Sequence, residues 1–148
     1  MMKLSTRSSY GLRAAIALAH RFDQPAQTVA VLAEENAIPR RYLEQILNRL
    51  RRKGLVEANR GPKGGYRLAQ PPARITVGDI VRAVEGELEP VLCSQPEHRS
   101  SDCRTASQCL SRRLCHQLEN TLLTVLDGTT LEDLAGSHPV LVSIRLER

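Results

Sequence analysis

The sequence has no tryptophan, one phenylalanine and three tyrosines, so aromatic side chains make up only 3% of its 148 residues. A core must then rest on Leu, Ile, Val and Ala, which favours packed helices over a β-sandwich. No apolar run approaches the ~20 residues that a membrane span needs. The most apolar stretch near the start, Ala14–Ala19, is short and lies between Arg13 and Arg21. It reads as neither signal nor transit peptide, so a cytoplasmic protein with no membrane partner is expected. There is no Cys-x-x-Cys pair, which excludes a zinc-finger knuckle and a thioredoxin-type site. The four histidines (20, 98, 116 and 138) form no metal-site pairing, and Gly61–Gly65 lacks the Lys-Ser/Thr end of a phosphate loop. With no nucleophile–base constellation either, the chain does not read as an enzyme and no small-molecule substrate is expected.

What is present is charge, unevenly spread. Hydrophobic residues at 41% with 25% charged describe a soluble globular chain, and the net charge is +5. Residues 1–70 hold thirteen Lys/Arg against five Asp/Glu, a net +8, whereas residues 71–148 hold eight against eleven, a net −3. A basic half beside a mildly acidic half implies that the first half meets a polyanion.

Periodicity gives the elements. Ser5–His20 reads as a helix with Tyr10, Ala14, Ile16, Ala17 and Leu18 on a broad apolar face and Ser5 or Thr6 as cap. Pro25 marks a loop; Thr28 then caps a short helix, Val29–Glu35, and Asn36-Ala37 is a turn. Pro39 suits the first position of the next helix, which runs to about Lys53 with Gly54 after it. In that helix Leu43, Ile46, Leu47 and Leu50 form one apolar stripe, opposite Arg40, Arg41, Gln45, Asn48, Arg49 and Arg52. Leu55–Ala58 and Tyr66–Ala69 read as two short strands around a glycine-rich turn, and Pro71-Pro72 closes the unit. Thr76 and Asp79 resemble a capping box for a helix with Ile80, Val81 and Val84 inward, ended by Gly86. Residues 89–108 look irregular. A helix over Leu110–Leu126 follows, with Leu110, Leu114, Leu118, Leu122, Val125 and Leu126 as its seam and Asp127-Gly128 as its stop. Thr129/Thr130 with Asp133 open one last helical turn, and alternating Val140, Val142, Ile144 and Leu146 suggest an edge strand. The expected architecture is mainly α with a small β-hairpin: a winged helix-turn-helix over 1–86, a cysteine-rich loop over 87–109, a long helix and a short one over 110–136, and a tail over 137–148.

Two short helices, a basic third helix and a glycine-tipped hairpin make a surface for double-stranded DNA. A helix fits the major groove, and its N-terminal residues reach base edges. Arg40, Arg41 and Gln45 occupy the first turns of the basic helix, where Arg can pair with guanine and Gln with adenine through two hydrogen bonds each. Arg49 and the basic residues after it are better placed for phosphates. Arg60 and Lys63 stand at the hairpin tip, and Arg60 suits a narrow minor groove. Thr28 and Pro39, at the starts of the two helices, complete the candidate DNA-binding set.

Tyr42-Leu43-Glu44-Gln45, Leu50-Arg51 through Gly54-Leu55-Val56, and Arg60-Gly61-Pro62-Lys63-Gly64-Gly65-Tyr66 with Leu68 resemble the IscR/NsrR/RirA family of bacterial regulators, the Rrf-two family. Lys3-Leu4-Ser5 to Tyr10, and Ile75–Ile80 with Val84, match it as well, so the resemblance spans residues 2 to about 135. It implies homodimers whose long C-terminal helices cross, each protomer reading one half of a palindromic operator. It also implies transcriptional control, often repression, of iron–sulfur assembly, iron uptake, nitrosative-stress or sulfur-metabolism genes.

Cys93, Cys103, Cys109 and Cys115 fall within twenty-three residues, separated by nine, five and five. Thiolates are the usual ligands of iron–sulfur clusters and also suit zinc. The resemblance assigns Cys93, Cys103 and Cys109 to an iron–sulfur cluster, 2Fe-2S or 4Fe-4S. Cys115, ~9 Å further along a helix and turned away from Cys109, is expected to pack instead. The fourth ligand stays open: the histidine of IscR-type members is replaced here by Arg112, the acidic residue of NsrR-type members by Ser9, and Cys115, His116 and Glu119 remain as candidates. The expected function is thus a transcription regulator sensing iron, redox state or nitric oxide through the cluster. The alternative is a cluster-free regulator of the same fold, controlled by thiol oxidation or a partner protein.

Overall fold

The computed structural model describes residues 5–62, 64–86 and 110–136, without the side chains of 110–112. Lys63, the expected loop with Cys93, Cys103 and Cys109, and the expected tail strand lie outside the described residues.

Local chemistry sets each helix start. Ser5, extended at φ −63° and ψ 160°, accepts a hydrogen bond from the Ser8 amide and opens α1 (Thr6–Ala19). Thr28 does the same through the Val31 amide for α2 (Val29–Glu35). Pro39 stands just outside α3 (Arg40–Arg52) as its cap, where the sequence pattern puts it just inside; the residue has no N–H to lose in either place. Thr76 and Asp79 form the expected capping box for α4 (Val77–Glu85), and Thr130 with Asp133 forms a second for α6 (Leu131–Ala135).

The strands β1 (Val56–Asn59) and β2 (Gly65–Leu68) lie one residue from their expected places: β1 starts and ends one later, β2 one earlier. They pair antiparallel with Val56 opposite Leu68 and Asn59 opposite Gly65. Backbone hydrogen bonding sets these ends, and terminal residues shift easily. The last long helix, α5 (Leu110–Gly128), runs through the residues expected to stop it. Asp127 is held there by the Arg82 guanidinium of α4, 2.5 Å away.

One core joins these elements. Leu43, Ile46, Leu47 and Leu50 of α3 are buried with Ala14, Ala15 and Leu18 of α1, Leu32 of α2, Val56 and Leu68 of the hairpin, Ile80 and Val84 of α4, and Leu131 of α6. At roughly 1.5–3 kcal/mol per buried aliphatic side chain, the four α3 residues alone fix that helix firmly. A smaller cluster, Val77, Val81 and Leu126, attaches the C-terminal part of α5 to α4. The seam expected along α5 is therefore split. Leu126 is buried and Leu122 packs beside it, but Leu114 and Leu118 are 56% and 59% exposed.

Candidate nucleic-acid interface

The helix-turn-helix is built from two matching helix ends. After α2, the Ala37 amide donates to Glu34 O (3.2 Å) and the Ile38 amide to Ala33 O (2.9 Å). After α3, the Gly54 amide donates to Arg51 O (2.9 Å) and the Leu55 amide to Leu50 O (3.0 Å). Each is the paired 5→2 and 6→1 bonding of a Schellman stop, which needs a left-handed residue. Gly54 meets that need at φ 71°; at the other stop it falls to Ala37, at φ 52°. Ile38 is buried just beyond it and sets the entry to α3.

From α1, two contacts brace this turn. Arg13 lies over the Tyr10 ring (5.2 Å to its centroid) and donates to Asn36 O at 2.9 Å. Tyr10 in turn meets Tyr42 of α3 edge to face, with ring centroids 5.7 Å apart.

The first turns of α3 are left open to a ligand. Its cap, Pro39, makes no side-chain hydrogen bond to the helix start. Arg40, Arg41 and Gln45 are exposed. Arg40 Nε lies 3.4 Å from Glu44 Oε1, with its side chain 67% exposed. A surface pair of this (i, i+4) kind contributes only ~0.3–0.5 kcal/mol, so it orients Arg40 without tying it up. Arg49 is placed differently: its guanidinium Nη1 donates to Val84 O of α4 at 2.9 Å.

The hairpin is fixed to the helix-turn-helix by one residue that sequence reasoning missed. Gln27, just before α2, exchanges two 2.8 Å backbone hydrogen bonds with Tyr66. Gly65 permits the approach, because a Cβ there would stand 2.3 Å from Gln27 O. The same Cβ would be 3.0 Å from the Thr28 amide, so Thr28 sits at the root of the hairpin. An ion pair between Arg67 and Glu57 ties the strands across their exposed face. Arg60 is exposed at the end of β1, and among the described residues it makes no ion pair.

At the other end of α1, Glu85 accepts from Ser8 Oγ at 2.7 Å and from Ser5 Oγ. Burial pushes its carboxyl up, but the hydrogen bonds from Ser5 and Ser8, together with the Arg7 charge, outweigh burial and hold it below the ordinary value.

Among the described residues no three His, Cys, Asp or Glu side chains come together to hold a metal. Ser9 and Cys115 are half-buried, and His116 pairs with Glu119 across 3.8 Å on α5. No helix of the described residues is long and apolar enough to cross a membrane.

The profile of Rrf2, the iron-dependent transcriptional regulators, matches residues 4–137. The chain belongs to the Rrf2 family. HTH-type transcriptional regulator CymR of Bacillus subtilis is 38% identical over 135 residues, 91% of each chain. HTH-type transcriptional regulator IscR of Aliivibrio salmonicida is 33% identical over 139 residues, 94% of this chain and 80% of the relative. The solved structure of CymR (YrzC), described as the global cysteine regulator of B. subtilis, gives a TM-score of 0.74 at 37% identity, covering 94% of this chain and all of that one. T. potens IscR gives 0.72 at 32% identity, covering 90% and 85%. The Rrf2 chain is mainly α with a small hairpin, as its sequence pattern implied, and its function is transcriptional regulation.

Proposed function

We propose that this Rrf2 chain acts as a homodimer on double-stranded DNA, each protomer setting α3 into the major groove of one half of a palindromic operator. The observation that carries the reading is the open start of α3, where Arg40, Arg41 and Gln45 project from a helix held rigidly by its buried stripe. Arg41 and Gln45 read base edges, and Arg40, steadied by Glu44, reaches base or phosphate. Arg60 enters the neighbouring minor groove from the hairpin, and Lys63 is a further candidate for DNA contact. Thr28 and Pro39, exposed at the starts of α2 and α3, are the further candidates for this contact. The dimer forms through α5, whose Leu114 and Leu118 are left uncovered in a single chain while Leu122 and Leu126 pack at home.

Cys93, Cys103 and Cys109 suit an iron–sulfur cluster as soft thiolate donors. A cluster bound there would supply an iron-dependent, redox-sensitive state beside the thiolates' own oxidation chemistry. The chain's own part is to carry the three thiolates between α4 and α5, so that a change in their ligation reaches both the DNA-binding core and the dimer helix. Repression is the proposed sign of control, as the family resemblance implies.

A second reading is favoured by the similarity to a global cysteine regulator: the same cysteines act as a thiol switch, or a partner protein sets DNA affinity. One preparation separates the two. Anaerobic purification followed by iron and sulfide analysis and an absorption spectrum is expected to show stoichiometric iron and sulfide. A colourless protein free of both, whose operator affinity changes on thiol oxidation, would establish the switch instead.

A further inference from the structure

Arg49 belongs to the helix proposed to read DNA, yet one guanidinium nitrogen of this exposed residue is bonded to the protein. α4 ends at Glu85, so the Val84 carbonyl is one of the last four that a helix leaves without an internal partner. Arg49 Nη1 fills that vacancy at 2.9 Å. A cation at the negative end of a helix is favoured twice over, by the charge-assisted hydrogen bond and by the helix dipole. The side chain of Val84 is fully buried in the core beneath. The neighbouring Glu85 is anchored to the start of α1 through Ser5 and Ser8. The end of α4 is thus held from two sides, by α1 and by the recognition helix, just before the chain passes through Gly86 into the cysteine-bearing segment.

We propose that Arg49 is a positioning residue for DNA recognition: it locks α3 to the end of α4 and does not contact phosphate. This deepens the DNA-binding reading of α3 and rests on it. The charge and the place of Arg49 on a basic helix point equally to a phosphate contact; only the bond to Val84 separates the two roles. The same bond couples the exit of α4 to α3.

Salt dependence decides between the roles. Removing a side chain that neutralises one phosphate makes the slope of log K against log salt shallower by roughly 0.9. Arg49→Met keeps the aliphatic stem and removes the donor; Arg49→Lys keeps a donor and the charge; Arg60→Gln serves as a comparison in which the slope is free to change. The duplex is the one that the full-length wild-type chain selects from a random pool. For Arg49→Met the dissociation constant is expected to rise on the order of tenfold with the slope unchanged, and for Arg49→Lys most of the affinity should return. A slope shallower by roughly 0.9 per protomer, or an Arg49→Met protein that binds like wild type, overturns the proposal. Amide hydrogen exchange, measured without DNA, is the second readout. The last turn of α4 should exchange faster in Arg49→Lys and faster still in Arg49→Met; unchanged exchange there also overturns it. A wild-type chain that selects no duplex would sink the DNA reading, and the exchange result would still decide whether Arg49 locks α3 to α4.

Discussion

Ala37 holds a left-handed backbone, φ 52°, where an L-residue with a Cβ is destabilised by ~1–2 kcal/mol. Glycine would relieve that crowding but loses more backbone freedom on folding, an offset of roughly 0.5–1 kcal/mol. Ala37→Gly is therefore expected to raise stability by up to about 1 kcal/mol, read as a higher urea midpoint. A lower midpoint would show that the turn is not strained. Glu85 carries a pH signature of the opposite origin. Its folded carboxyl titrates below the ordinary value, so its contribution is present above the unfolded pKa of ~4.3 and is lost as pH falls through the depressed folded value. The melting-temperature gap between wild type and Glu85→Gln should hold steady from neutral pH to about 5 and close below about 4; a gap that widens in acid would reverse the sign. At the DNA face, Arg41→Ala is expected to cost ~1–3 kcal/mol of operator binding and to relax selectivity at one base position, checked by binding to singly substituted duplexes.

Among the elements, the hairpin and α5 depend most on what lies beyond themselves. A methyl group at Gly65 would stand 2.3 Å from the Gln27 carbonyl, so Gly65→Ala must push the hairpin off its bridge to Gln27. The expected loss is roughly 1–3 kcal/mol of stability with weaker operator binding, measured by denaturation and by titration of the duplex. On α5, Leu118→Lys should leave helix content intact and turn the dimer into a monomer in sedimentation; a dimer that survives would move the interface elsewhere. The helices were legible from the sequence because each writes its apolar stripe and its cap into a short window. Leu43, Ile46, Leu47 and Leu50 announce the buried face of α3, and Thr76 with Asp79 announces the start of α4. The bonds of Gln27 to Tyr66, Arg13 to Asn36 and Arg49 to Val84 were not legible. Each joins polar groups far apart in the chain, with no period to betray them. Arg49 looked like its basic neighbours for that reason. The spacing of leucines along α5 implies a continuous seam, because it records a face and not what covers it.

At the scale of the whole molecule, the charge asymmetry and the main core serve one arrangement. Leu131 of α6 is buried in the same core cluster as residues of α1 to α4, and α6 packs against α1, so the chain after α5 returns to the core. The excess of positive charge in residues 1–70 is what the proposed contact with a polyanion requires. The most direct measurement is the affinity of the full-length protein for its selected duplex across a range of salt, beside a duplex with one half-site scrambled. A slope steeper than about −4, and at least a hundredfold weaker binding to the scrambled duplex, is the expected result. Equal affinity for both duplexes, or binding indifferent to salt, would contradict a symmetric operator read by Arg40, Arg41, Gln45 and Arg60.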